Sequence, residues 1–333
     1  MRAVVLDGYG GTEVLRVADV DAPIPGPEDL LVDIHHGALN RADVVQRTGG
    51  YPDPRRAKGD PSPEIPGMEY AGRVAAVGAR VTGWAVGDPV MGIEAGGCYA
   101  EQVVTHHRMA LPIPAGLDLA DAAAVPEVFI TAWDALVVQG GLTSGRWALI
   151  HAGASGVGTA GIQIAKAVGA KVAVTCSSGK AAACRDLGAD LVLERSPADW
   201  PAALQAGLET QGCTVGVDTI LDVVGGDEAD RNLRVVRPKG TIVQVGLMGG
   251  GAVTVNLGLL LAKRVRWVGT VLRSRPLEEK AAISRRFADE VLPLFTTGAL
   301  RPVIDRRFPL AEVAAAHRHM EADANVGKIL LDI

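Results

Sequence analysis

Residues 147–180, WALIHAGASGVGTAGIQIAKAVGAKVAVTCSSGK, constrain the fold more than any other part of the chain. Trp147 to His151 is a short apolar run, long enough for one buried strand. Gly153, Gly156 and Gly158 follow at once, and Ile162, Ile164, Ala165 and Val168 then mark an apolar face at helical spacing. Lys171 to Thr175 returns as a second, β-branched strand. Strand, glycine turn, helix and strand together form the layout of a dinucleotide site. The glycines let the backbone turn sharply and approach a pyrophosphate, while the helix N-terminus aims free N–H groups at the phosphates. Gly153, Ser155, Gly156, Val157 and Gly158 are therefore the expected pyrophosphate cradle. A literal G-x-G-x-x-G runs 156, 158, 161, but the register 153, 156, 158 starts directly after the strand and is preferred.

The end of the second strand selects the nucleotide. An NAD site carries Asp or Glu there, to bind the ribose 2′-hydroxyl. Here Thr175-Cys176-Ser177-Ser178-Gly179-Lys180 holds hydroxyls and one cation but no acid, which suits a 2′-phosphate. The expected cofactor is NADPH, read by Ser177 and Lys180. The serines also suit caps for the next helix.

A length of 333 residues predicts two domains. A net charge of −5 without a basic run gives no indication of a nucleic-acid partner or an anionic membrane surface. The N-terminus lacks a long apolar run, and no stretch approaches a membrane span. Cys98, Cys176, Cys184 and Cys213 are scattered, as expected of a reduced, cytoplasmic protein. Residues 1–120 read as short strands (Arg2–Leu6, Leu30–His36, Gly72–Val77, Pro89–Gly92, Ala100–Val104) broken by Gly and Pro, with a short helix over Asn40–Thr48 and a long Pro-rich loop from Gly49 to Pro66. Loops of that length are often functional. From Leu119 the pattern changes to alternating helix and strand, ending in an expected edge strand over Val265–Leu272. Such alternation predicts a parallel, doubly wound sheet. A long helix over Glu278–Thr297 and a β-α-β tail that returns to the first domain complete the reading.

Several runs together resemble the medium-chain dehydrogenase/reductase superfamily, and within it the zinc-independent quinone oxidoreductases. They are Asn40-Arg41-Ala42-Asp43, Gly50-Tyr51-Pro52, Pro66 to Gly72, the glycine turn, Arg237 to Gly240, Gly269 to Arg275 and Asn325-Val326-Gly327-Lys328. The resemblance covers essentially the whole chain. It implies a GroES-like, β-rich catalytic domain formed by both chain ends (1–122 and 299–333), with a Rossmann domain inserted at 123–298. It also implies a homodimer joined through the edge strand near Val265–Leu272.

Zinc-dependent relatives need Cys and His donors gathered in one place. Here Met68 stands where a His is expected, Leu39–Arg41 offers no Cys, and Cys98 is too isolated for a four-cysteine lobe. His35-His36 and His106-His107 are neighbours whose side chains alternate on a strand, so neither pair chelates by itself. No metal is expected. Without a Lewis acid the acceptor must already be electrophilic, which points to a quinone or an enone accepting hydride from nicotinamide C4.

Tyr51, on the long loop, suits a phenol presented to the acceptor or a packing residue. Asn40 suits a hydrogen bond to the nicotinamide ribose or a substrate oxygen, or a helix cap. Thr131 matches the family position near the nicotinamide. Gly246, Leu247 and Met248 follow a strand at the sheet end where ligands bind. Leu272, Arg273 and Ser274 are expected at the nicotinamide, with Asn325 and Lys328 contributed by the C-terminal tail. Many NADPH-specific relatives carry an Asn-Tyr pair after the third strand. This chain has Leu193-Glu194-Arg195-Ser196, so Arg195 is the expected substitute, stacking on adenine or pairing with phosphate. Two rival readings use the same scaffold: an NADPH-dependent enone, alkenal or enoyl reductase, and a non-catalytic NADPH-binding protein of sensor or crystallin-like type.

Overall fold

The apolar run that opens the dinucleotide motif becomes the central strand of a parallel sheet. In a computed structural model, which describes residues 1–51, 53–56, 62–195 and 199–333, strands Trp147–Ile150, Lys171–Cys176, Leu191–Glu194, Val217–Asp222, Val236–Gln244 and Arg266–Gly269 form this sheet. Numbered one to six along the chain, they lie in the order 3-2-1-4-5-6, and every pairing is parallel. That is the strand order of the doubly wound dinucleotide fold, with its reversal point between Trp147–Ile150 and Val217–Asp222. Parallel strands covered on both faces read as continuous apolar runs, and Trp147 to Ile150 are all buried. One face is packed by Trp200, Leu204 and Leu208 of the helix Trp200–Thr210 together with Leu149, Ile220 and Ile242. The Trp200 indole N–H donates to Glu228 Oε2 at 2.7 Å, so the largest side chain in this core leaves no polar atom stranded.

The chain divides into two compact units, Thr131–Val271 and Met1–Ile130 with Leu272–Ile333. The first contains the parallel sheet. The second is built on the ten-residue strand Asp29–Ala38. Register shifts at Leu31/Val32 and Ile34/His36 bend this strand, so different stretches of it meet different partners. Residues 29–33 pair with Gln102–His106, residues 36–38 with Lys328–Asp332, and its other edge with Glu69–Val77. The C-terminal strand thus completes the N-terminal sheet.

Several elements differ from expectation. The edge strand is confined to Arg266–Gly269, and Leu272–Ser274 lie in a turn. The predicted helix over Glu278–Thr297 is two helices, Leu277–Glu290 and Leu292–Thr296, because Pro293 has no N–H to continue the ladder. The first of these belongs to the unit formed by the chain ends, whereas the expected inserted domain ran to residue 298. Within the alternating region, a helix starts at Pro126, which is tolerated at a first helical position, and turns π-helical over Asp134–Gln139. Pro52 and residues 57–61 of the predicted long loop lie outside the described residues, as do Ser196 and the two residues after it. Among the described residues no helix is long and apolar enough to cross a membrane.

Candidate active site

In the sheet unit, the glycine turn leaves the C-terminal end of Trp147–Ile150 and enters the helix Gly156–Ala167. A Cβ on Gly158 would lie 2.3 Å from the Ala152 carbonyl oxygen, and one on Gly153 would lie 2.7 Å from Val174. Only glycine permits this approach of helix to sheet. Ser155 caps the helix, its Oγ accepting from the Gly158 N–H at 3.0 Å. The N–H groups of Gly156 and Val157 have no partner among the described residues. Free N–H groups beyond the carboxyl end of a central parallel strand fit a pyrophosphate. The residues present therefore fit a dinucleotide.

Ser177 is exposed and Lys180 half-buried in the short turn Ser178–Lys180 after the second strand. The third strand brings Arg195 alongside: its backbone N–H donates to the Cys176 carbonyl at 2.8 Å, while its side chain is exposed. Glu194 is exposed at the same strand end. Gly246, Leu247 and Met248 lie in the loop after Val236–Gln244, and Leu247 and Met248 are exposed. Their segment is zipped to the loop after Asp222 by Gly246 N–H to Asp222 O (3.3 Å), Met248 N–H to Val223 O (3.4 Å) and Gly249 N–H to Val224 O (2.7 Å). Thr131 is buried in the helix Pro126–Trp133.

A buried polar chain that periodicity does not disclose organises these strand ends. His151 Nδ1 meets Thr175 Oγ1 at 2.9 Å and its Nε2 meets Asn232 Oδ1 at 2.7 Å. Asn232 Nδ2 donates to Asp222 Oδ2 at 2.9 Å, and Asp222 Oδ1 accepts from the Val224 and Gly225 N–H groups. Because Asn232 presents its oxygen, Nε2 carries the hydrogen and Nδ1 accepts from the threonine. The visible signal for this chain is a histidine and an aspartate closing otherwise apolar strands.

In the other unit, Asn40 occupies the N-cap position of the helix Arg41–Arg47, and its backbone N–H donates to Asp43 Oδ2 at 2.8 Å. Its side chain turns inward: Nδ2 donates to Glu69 Oε1 at 2.9 Å and Oδ1 accepts from Lys328 Nζ at 2.6 Å. Lys328 Nζ also donates to the Leu39 carbonyl at 2.7 Å and to Glu69 Oε1 at 2.5 Å. The other Glu69 oxygen accepts from the Glu127 N–H at 3.0 Å. Tyr99 Oη donates to Asp43 Oδ2 at 2.8 Å, while Asp43 Oδ1 is buried without a partner among the described residues. Burial raises the Asp43 carboxyl to about 6, against the lowering effects of the Asn40 and Tyr99 hydrogen bonds and of Lys328.

Tyr51 is half-buried, and its hydroxyl has no hydrogen bond among the described residues. Burial raises its pKa, while the Arg273 charge acts the other way. Arg273 is directed into its own unit rather than displayed. Its Nε donates to Ala95 O (2.6 Å), Nη1 to Tyr51 O (2.8 Å) and Nη2 to Gln46 Oε1 (2.8 Å). Gln46 in turn donates to Glu64. Leu272 is half-buried and Ser274 exposed on either side of it. Asn325 Nδ2 donates to the Gly327 carbonyl at 2.7 Å. The structure therefore gathers Asn40 with Lys328, and Tyr51 with Arg273, in the unit formed by the chain ends.

Residues 26–115 match the alcohol dehydrogenase GroES-like domain, and residues 156–288 match the zinc-binding dehydrogenase family. The quinone oxidoreductase of Pseudomonas aeruginosa is 34% identical over 329 residues, covering 97% of each chain. NorB, a spectinabilin polyketide synthase system protein of Streptomyces orinoci, is 35% identical over 316 residues. That match takes in 93% of this chain, which spans only 13% of NorB. Among solved structures, a Pseudomonas syringae quinone oxidoreductase superposes with a TM-score of 0.88 at 31% identity, covering 100% of this chain and 99% of that one. The CurK enoyl reductase superposes with a TM-score of 0.87 at 25% identity, covering 99% and 98%.

Among the described residues, the side chains around Met68 and Asn40 do not form a donor set that fits the zinc in the second family's name. Met68 is buried with a thioether, Asn40 offers an amide, and a lysine ammonium lies against Asn40 and Glu69. Among the described residues no three His, Cys, Asp or Glu side chains are grouped to hold a metal. The His106 and His107 rings stack 5.0 Å apart, because the strand ends at His106 and alternation stops there. Sheet order, glycine turn and near full-length similarity agree: the chain is an oxidoreductase of the medium-chain dehydrogenase/reductase superfamily, a relative of the quinone oxidoreductases whose family works with nicotinamide cofactors.

Proposed function

We propose that this protein is an NADPH:quinone oxidoreductase acting without a metal. The observation that carries this reading is an intact dinucleotide turn in a chain that has Met68 and the Cys-free run Leu39–Arg41 where zinc donors are expected. When bound, NADPH supplies hydride from its nicotinamide C4. Ser177 and Lys180 hold the 2′-phosphate, assisted by Arg195, and no acid stands in the 175–180 segment to oppose it. Asn40 hydrogen-bonds the nicotinamide ribose or an acceptor oxygen, and the Tyr51 phenol donates to the acceptor as negative charge develops there. A quinone takes up hydride and one proton from solvent or a hydroxyl, becoming a hydroquinone. Delocalisation over the ring does the work a Lewis acid would do for a simple ketone.

The active form is a cytoplasmic homodimer joined through Arg266–Gly269. An unpaired edge strand is a liability when left open, and Leu257 and Leu261 of the preceding helix Leu257–Lys263 are exposed apolar residues. A second reading, reduction of an enone or enoyl substrate, is favoured by the likeness to the CurK enoyl reductase.

The test is oxidation of NADPH and of NADH with 9,10-phenanthrenequinone, 1,4-benzoquinone and a small enone. Quinone turnover that is much faster with NADPH supports the proposal. Equal rates with NADH remove the 2′-phosphate reading, and turnover of the enone alone moves the assignment to the second reading. Tight NADPH binding without turnover indicates a binding protein instead.

A further inference from the structure

The oxygens gathered around Asn40 enclose a positive charge that the chain itself provides. We infer that Lys328 is a built-in cation: its ammonium neutralises Glu69 and orients the Asn40 carboxamide, and it does not bind the cofactor.

An ammonium group has three hydrogens. Those of Lys328 are taken by the Leu39 carbonyl, Asn40 Oδ1 and Glu69 Oε1 at 2.7, 2.6 and 2.5 Å. None remains for a phosphate or a ribose, and the side chain is 4% exposed. The acceptors are a main-chain carbonyl, an amide and a carboxylate, an all-oxygen set that suits a hard cation. Tetrahedral zinc prefers nitrogen and sulfur. The run Asn325 to Lys328 delivers the ammonium to this place. Gly327 has φ +80, and a Cβ there would lie 2.2 Å from the Val303 carbonyl oxygen. Asn325 holds the Gly327 carbonyl, and the Lys328 N–H donates to Val303 O at 2.8 Å. The strand therefore begins with its first side chain directed inward.

The consequence for Asn40 is directional. Its oxygen faces the ammonium and one Nδ2 hydrogen faces Glu69, so the hydrogen left without a partner among the described residues makes Asn40 a donor. Lys328 is then a positioning residue for Asn40. This step rests on the proposed contact between Asn40 and a ribose or acceptor oxygen, whereas the built-in cation does not.

The experiment compares the full chain with Lys328→Ala, Lys328→Arg and the double variant Glu69→Gln/Lys328→Met. Readouts are thermal unfolding in ethylammonium or tetramethylammonium chloride at equal ionic strength, metal content, and steady-state kinetics with NADPH and phenanthrenequinone. Lys328→Ala loses stability, and ethylammonium restores it saturably. Tetramethylammonium, which has no N–H, does not. Lys328→Arg folds but places its donors differently. The double variant folds, since it leaves no unpaired buried charge, and its kcat falls by about 10-fold to 100-fold with little change in KM for NADPH.

Unchanged stability of Lys328→Ala overturns the built-in cation. So does stoichiometric zinc in the wild type with a chelator lowering its unfolding midpoint, or a rise in KM for NADPH at unchanged kcat in the double variant. Rescue by ethylammonium together with unchanged kcat and KM in the double variant keeps the cation and refutes the role given to Asn40.

Discussion

The Arg273 guanidinium lies 4.5 Å from the centre of the Tyr51 ring and also holds the Tyr51 carbonyl. A side chain from the C-terminal part of the chain thereby fixes a residue of the predicted acceptor loop in two ways. Arg273→Met would strand the Tyr51 and Ala95 carbonyls and Gln46 Oε1, at a cost of about 2–4 kcal/mol. The fall should appear as a lower urea midpoint. Arg273→Lys should recover only part of it, because an ammonium cannot reproduce the planar fork.

Tyr51→Phe separates ring from hydroxyl. The ring and its guanidinium contact survive, so stability should stay within about 0.5 kcal/mol of wild type. If the phenol donates to the acceptor, kcat/KM for quinone should fall about 10-fold or more. Unchanged kinetics would remove Tyr51 from the catalytic set.

The glycine turn can be tested by a matched pair. A Cβ at Gly158 meets the Ala152 carbonyl oxygen at 2.3 Å and the Gly153 backbone at 2.6 Å, whereas one at Gly179 meets nothing within 4 Å. Gly158→Ala should push the helix off the sheet and weaken NADPH binding about 10-fold or more, followed by nicotinamide fluorescence. Gly179→Ala should bind as wild type does.

His317 is buried with neither ring nitrogen partnered among the described residues, against the Tyr99 ring edge and near Arg47, which pairs with Glu321. Burial, then the Arg47 charge, lowers its pKa from 6.5 to about 4, with Glu321 opposing. The unfolded chain therefore takes up this proton first, so stability held above pH 6.5 is lost as pH falls toward 4. Asp43, raised from 3.8 to about 6, acts in the opposite sense, its contribution being complete below 3.8 and lost as pH rises through 6. His317→Leu should be about 1–2 kcal/mol more stable than wild type at neutral pH, since it removes two unsatisfied buried nitrogens. The advantage should widen by about 3 kcal/mol as pH falls to 4, measured by denaturant unfolding across that range.

What the sequence determined by itself was the local code of the sheet unit. Buried parallel strands read as apolar runs, and a glycine turn is dictated by backbone contact, so strand, turn and helix were legible between Trp147 and Thr175. The return of Lys328–Asp332 to the N-terminal sheet was legible from a β-α-β tail. Only tertiary structure decided what the charged residues do. The family resemblance placed Lys328 and Arg273 at the cofactor. Both are instead spent inside the unit formed by the chain ends, on oxygens far away in sequence. The His151–Asn232–Asp222 chain left only a histidine and an aspartate at strand ends as its trace in the sequence. A hydrogen bond between distant residues has no periodicity, and its partners are brought together only when the strands that carry them are paired.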